Sequence, residues 1–169
     1  FIPNPVMGNV IINEVMYNPI LDQGGNDYGE WIEIYNTGNE NIDMSSWQLC
    51  EDNLINGYIA LNGSTQLDIT FILAPGQYAL ITDGGSGTTV YDNLSIDGSA
   101  LAFHVNGALC SGLNNPGELI NLSNETYTSL FDYTSYATEN LAQGNGRTLE
   151  RYNFITNNWG ESLNVNGTS

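Results

Sequence analysis

Carboxylates are the side chains with which this sequence could do chemistry. Nineteen Asp and Glu residues face only two cations, Arg147 and Arg151, so the 169 residues carry a formal net charge of −17. The single histidine, His104, stands in the apolar run Leu101-Ala102-Phe103-His104-Val105, where a packed or surface role is expected before a general-base one. Neither cysteine has a histidine close by in sequence. No G-x-S-x-G elbow, H-E-x-x-H pair or lysine-bearing phosphate loop occurs. Gly84-Gly85-Ser86-Gly87 lacks a following helix and a basic residue, so it reads as a plain loop. Paired acids of the glycoside-hydrolase kind stay open on residue type alone. The chemistry that the residue types favour is hard-cation binding, because calcium takes several oxygen ligands from acidic, flexible loops. Asp22, Asn26, Asp27 and Glu30, arranged around Gly24-Gly25, are the candidate calcium ligands, with Asp83, Asp92 and Asp97 as a second cluster. Neither has the EF-hand spacing, and a solvated acidic turn is the plain alternative. No cofactor besides calcium is indicated.

The charge also limits the partners. Phosphate contacts need Arg and Lys, so nucleic acid is not an expected ligand, and anionic membrane surfaces are repelled for the same reason. No run of eighteen apolar residues is present for membrane insertion. Self-repulsion at this charge disfavours the compact state unless cations screen or bind it, as salt water or a calcium-bearing exterior would allow. A start at Phe1, with no basic and apolar leader before it, fits a secreted, mature chain or an excised piece. An extracellular or cell-surface location is therefore expected. Arg147 and Arg151 are expected to pair with carboxylates such as Glu14, Glu33 or Glu150, the alternative being a grip on a ligand carboxylate or sulfate. Cys50 and Cys110 match no zinc motif and lie too far apart for a C-x-x-C redox site. One disulfide or two buried thiols both fit, and a bridge would contribute roughly 4 kcal/mol by closing a long loop. Triplets of the N-x-[ST] form begin at Asn62, Asn93, Asn121, Asn124 and Asn166, about as many as chance gives in a chain this rich in Asn, Ser and Thr.

Short strands must position these groups. Residues 1–9, with Pro3 and Pro5, read as an extended arm, and residues 10–169 as one domain without internal repeat or linker. Strands are expected over 10–17 and 30–35, where Ile32 and Ile34 share one face while Trp31, Glu33 and Tyr35 share the other. Further strands are expected at 47–50, 57–61, 67–73, 77–82, 100–104, 118–123, 127–134 and 148–152, with 83–99 a loop. Turn signals recur about every ten residues and no helical stripe is present, the pattern of an all-β sandwich or barrel.

Seven segments, in order, then resemble a known family. Ile11-Ile12-Asn13-Glu14-Val15-Met16-Tyr17-Asn18-Pro19 and Gly29-Glu30-Trp31-Ile32-Glu33-Ile34-Tyr35-Asn36 are similar to the first two strands of prokaryotic lamin-tail domains. Asp43-Met44-Ser45-Ser46-Trp47-Gln48-Leu49, Leu73-Ala74-Pro75-Gly76-Gln77-Tyr78 and Gly112-Leu113-Asn114-Asn115-Pro116-Gly117-Glu118 resemble later segments of that family. Gly146-Arg147-Thr148-Leu149-Glu150-Arg151 and Asn158-Trp159, with a closing Asn166-Gly167-Thr168, complete the set. The resemblance implies an immunoglobulin-like β-sandwich of two mainly antiparallel sheets, and a structural or binding module that is not an enzyme. The arm, the stretch 53–70 and the Gly-rich insertion 83–99 depart from the family pattern, as do Cys50 and Cys110.

The arm is where assembly is expected. Phe1, Ile2, Val6 and Met7, spaced by Pro3 and Pro5, are apolar enough to want a groove on a partner. Laid along the edge of another copy, the arm would add a strand, and repeated head-to-tail contacts of that kind build filaments, sheaths or surface layers. The alternative function is a monomeric adhesion module that contacts glycan or protein through its Gly-rich loops.

Overall fold

The computed structural model describes residues 9–23, 29–45, 47–50, 53–54, 71–82, 97–104, 108–124, 130–137 and 141–167. The arm residues Phe1, Ile2, Pro3, Pro5, Val6 and Met7 lie outside this set, as do the expected strand at 57–61 and most of the insertion 83–99. Asn9, assigned to the arm, already belongs to the fold: its carbonyl accepts from the Thr37 N–H at 2.6 Å.

Among the described residues twelve strands form two main layers. They are β1 (Val10–Met16), β2 (Trp31–Asn36), β3 (Ile42–Asp43), β4 (Trp47–Leu49), β5 (Asn53–Leu54), β6 (Ile72–Leu73), β7 (Tyr78–Thr82), β8 (Leu101–His104), β9 (Gly117–Asn124), β10 (Leu130–Ala137), β11 (Leu149–Asn153) and β12 (Asn158–Glu161). A six-stranded sheet has the order β12-β11-β1-β2-β7-β8, a four-stranded sheet the order β10-β9-β4-β5, and β3 pairs with β6. Among the described residues all pairings are antiparallel except β7 with β8. The fold is the expected all-β sandwich.

Its core is the apolar set between the two main sheets. Ile12, Val15, Ile32, Ile34, Ala79 and Ile81 come from one layer, and Trp47, Leu49, Ile120 and Leu122 from the other, all in one buried cluster. Within β1, Ile12 and Val15 are three residues apart, so simple alternation would place them on opposite faces. A bulge between Ile12 and Glu14 resolves this: Ile12 pairs with Ile34 and Glu14 with Glu33, which leaves Asn13 as the extra residue. The consequence is a reversal of phase. Val10, Ile12, Val15 and Tyr17 enter the core, while Ile11, Glu14 and Met16 take the outer face.

Turns follow the local chemistry. In Ala74-Pro75-Gly76-Gln77 the Gln77 N–H donates to the Ala74 carbonyl at 3.1 Å, and Gly76 has φ 71°, which glycine adopts without penalty. Buried Asn36 ends β2 by donating Nδ2–H to the carbonyls of Glu40 and Leu73, both at 2.9 Å, and accepting from the Gly38 N–H at 2.9 Å. Gly38 has no room for a side chain, since a Cβ there would come within 2.5 Å of the Asn9 Cβ. Near the C-terminus, Gln23 donates to the Gly146 carbonyl at 2.8 Å and to Asn166, pinning the 162–167 segment to the loop after β1.

The sequence-based strands at 10–17, 30–35, 47–50, 77–82, 100–104, 118–123 and 148–152 correspond to β1, β2, β4, β7, β8, β9 and β11. Of the one expected at 127–134, the described part falls in β10, Leu130–Ala137, and β3, β5 and β12 lie outside the expected strands. β12 shows why. Asn158-Trp159-Gly160-Glu161 has no strand-like alternation, yet β11 offers it an edge, and Arg151 lies opposite Trp159 with its guanidinium 5.4 Å from the ring centroid.

A disulfide joins Cys50, just after β4, to Cys110, in the 3-10 turn Leu109–Ser111, with Cα atoms 5.4 Å apart across a separation of 60 residues. Closing a loop of that length restricts the unfolded chain. Replacing both cysteines by alanine is expected to lower the unfolding free energy by about 4 kcal/mol. Urea unfolding of the oxidised and cysteine-free chains checks this, and coincident curves would show that the bridge contributes nothing.

Candidate functional site

The outer face of the six-stranded sheet carries an unusual row. Strand pairing sets Glu150 of β11 beside Glu14 of β1, Glu14 beside Glu33 of β2, and Glu33 beside Leu80 of β7. Three carboxylates thus lie on adjacent strands, although like charges directly opposite destabilise a sheet. Two of them are buried: Glu14 is 0% exposed and Glu33 3%.

Donors supply part of the compensation. The Thr148 hydroxyl donates to Glu14. Asn13, freed by the bulge, donates Nδ2–H to Glu33 Oε1 at 2.8 Å. Burial, opposed by the Asn13 hydrogen bond and reinforced by the charge of Glu150, pushes the Glu33 carboxyl up to about 7. At one end of this face Gly167 of the C-terminal segment packs on Trp31; a Cβ there would stand 3.0 Å from the ring.

Towards the other end the face opens into a groove of about 610 Å³. Asn13, Glu33, Tyr78, Asp97, Glu150 and Arg151 are among the residues that line it. Tyr78 stacks on Tyr35 with ring centroids 4.4 Å apart and remains 39% exposed. Asp97 is held by its own turn, accepting from the Ser99 N–H at 2.7 Å and the Ser99 hydroxyl at 2.5 Å, which lowers its pKa.

The residues singled out from sequence are distributed otherwise. Asp22 is exposed in the 3-10 turn Leu21–Gln23, whereas Glu30 is buried and accepts from the Leu113 N–H at 2.8 Å. Asn26 and Asp27 lie outside the described residues, as do Asp83 and Asp92 of the second acidic cluster. Among the described residues no group of three or more His, Cys, Asp or Glu side chains converges as a metal centre.

The arginine pairing needs correction. Arg147 meets Glu161, at 3.5 Å, and not Glu14, Glu33 or Glu150. The reason is the β11–β12 hairpin, which sets Leu149 opposite Glu161 and so brings Arg147 beside the carboxylate at the end of β12. Arg147 also donates Nη1–H to the carbonyls of Ser162 and Leu163, at 2.6 and 2.5 Å. Glu161 is held below its ordinary pKa by the Ala142 N–H and the Asn145 amide, with Arg147 adding its charge. Arg151 donates Nη1–H to the Ile12 carbonyl at 3.0 Å while lying over Trp159.

Sequence reasoning named Glu14, Glu33 and Glu150 only as partners for arginine and missed that they line up with one another. No sequence signal marks it: the doublets Ile11-Ile12 and Val15-Met16 fit plain alternation, and only the register of β1 against β2 reveals the bulge at Asn13.

The raised Glu33 carboxyl has a consequence for stability. An acid raised on folding keeps its proton where the unfolded chain has lost it, so stability falls as pH rises from 4.5 through about 7. Glu33→Gln, neutral at every pH, is expected to be more stable than the parent at pH 8, by on the order of 3 kcal/mol, with the gain vanishing by pH 4. Urea unfolding of both chains across that range checks it; a difference that does not change with pH would contradict the burial of a charged Glu33.

Comparison with known proteins follows the same outline. No curated protein is similar enough to match. The Lamin Tail Domain family model matches residues 3–145, and β11 and β12, which lie past that span, pair into the same sheet as β1. Lamin tail domains are immunoglobulin-like modules without catalytic activity, and this chain, matched over most of its length, belongs to the lamin tail domain family.

Proposed function

We propose that this domain is a non-catalytic extracellular structural subunit, which joins copies of itself into a filament, sheath or surface layer by strand addition through residues 1–9. The observation that carries the proposal is the edge strand β10. It runs for eight residues along β9, and its far side has no strand neighbour among the described residues. The edge strands β8 and β12 have four residues each and β5 has two, so β10 is the longest acceptor among the described residues. Its sequence, Leu130–Ala137, contains neither lysine nor proline, the residues that most often guard an open edge.

The arm suits the donor role. Successive residues of a strand turn their backbone groups to alternate sides. Pro3 and Pro5 therefore share the side facing away from the acceptor, where a missing N–H does no harm, and Ile2, Asn4 and Val6 can make the ladder bonds. The Cys50–Cys110 bridge fits an oxidising, extracellular setting. A net charge of −17 on each copy opposes close association, so salt or calcium favours the polymer.

Electron microscopy and light scattering of the full chain, of a chain lacking residues 1–8, which spares the Asn9 carbonyl bonded to Thr37, and of the full chain with excess free 1–8 peptide test the proposal. Polymers are expected for the first alone, growing with added salt or calcium. A full chain that stays monomeric under all these conditions, or polymers unaffected by the deletion, would overturn it.

A further inference from the structure

The groove over Glu33 has no part in strand addition. Its volume of about 610 Å³ lies in the range of small-ligand sites. Acceptors and donors meet there: Glu33, Glu150 and Asp97 on one hand, Asn13 and the Arg151 guanidinium on the other. A metal or organic cation needs acceptors only and would confront Arg151, while an anion would confront three carboxylates. A ligand whose groups both donate and accept uses the whole set, and sugar hydroxyls do both.

Two further observations point the same way. Glu33 is 3% exposed, and its Oε1 takes the Asn13 hydrogen bond. Among the described residues no donor reaches its Oε2, although the side chain lines the groove. A carboxylate that is nine-tenths buried and half satisfied asks for a donor from outside. Beside it Tyr78, backed by Tyr35 at 4.4 Å, offers a rigid ring of the kind that packs against the C–H face of a pyranose.

We propose that this groove binds a neutral sugar residue, with Glu33, Glu150 and Asp97 accepting from its hydroxyls, Arg151 donating to its oxygens, and Tyr78 packing on its ring.

The test is a titration of the isotope-labelled full chain with glucose, galactose, mannose, N-acetylglucosamine and glucuronic acid, followed by amide shift changes. At least one neutral sugar is expected to shift signals of Glu33, Tyr78 and Ser99, and glucuronic acid is not. Glu33→Gln and Tyr78→Leu are each expected to weaken binding about tenfold, the loss of one charge-assisted hydrogen bond or one ring contact. Glu33→Gln is the deciding variant, because it removes a buried charge and so keeps the fold. Deleting residues 1–8 leaves the titration unchanged if the site is separate from strand addition. The proposal is overturned if no neutral sugar binds, if glucuronic acid binds equally well, or if Glu33→Gln binds like the parent.

Discussion

One inserted residue, Asn13, sets the phase of the whole six-stranded sheet. β1 lies between β11 and β2, so whatever fixes the facing of its side chains fixes what its neighbours must present. With the bulge, Ile12 and Val15 both reach the core and Glu14 lands beside Glu33 and Glu150. Without it, period-two alternation would carry Val15 outward and Glu14 inward, and the apolar layer opposite Ile120 and Leu122 would lose its continuity. The same residue that rescues the core also supplies the amide that satisfies Glu33. Core packing and outer-face chemistry therefore have one origin.

The rest of the charge distribution follows from having only two cations. Several carboxylates among the described residues are held mainly by neutral donors. Glu30 takes the Leu113 N–H, Glu14 the Thr148 hydroxyl, and Glu161 the Ala142 N–H and Asn145 amide before the charge of Arg147 contributes. Such hydrogen bonds let acidic groups sit inside an all-β domain without paired cations. Where they fall short, as at Glu33 with Glu150 nearby, burial raises the carboxyl to about 7.

Much of the fold was legible in the sequence because its signals are local. Alternation in Trp31–Asn36, the Ala74-Pro75-Gly76 turn and the long apolar-polar run of β9 each state their structure within a few residues. β12 was not legible, since Asn158–Glu161 becomes a strand only by pairing with β11. Nor was the partner of Arg147, which depends on hairpin register and not on residue type. The candidate site was half visible: Glu14 and Glu33 stood out as carboxylates in apolar strands, but their adjacency depends on a bulge that alternation alone does not locate. The groove linings from Asp97–Ala100 and Glu150–Arg151 meet only in three dimensions.

The central claim is that the bulge at Asn13 turns a carboxylate row outward and buries it. Its most direct measurement is the titration of the Glu33 side-chain carboxyl by carbon-detected NMR. The account predicts a midpoint near 7, well above the ordinary value of 4.5, and a lower one when Glu150 is replaced by Gln. A midpoint at the ordinary value, indifferent to Glu150, would mean that Glu33 is solvated and that the row does not exist as described.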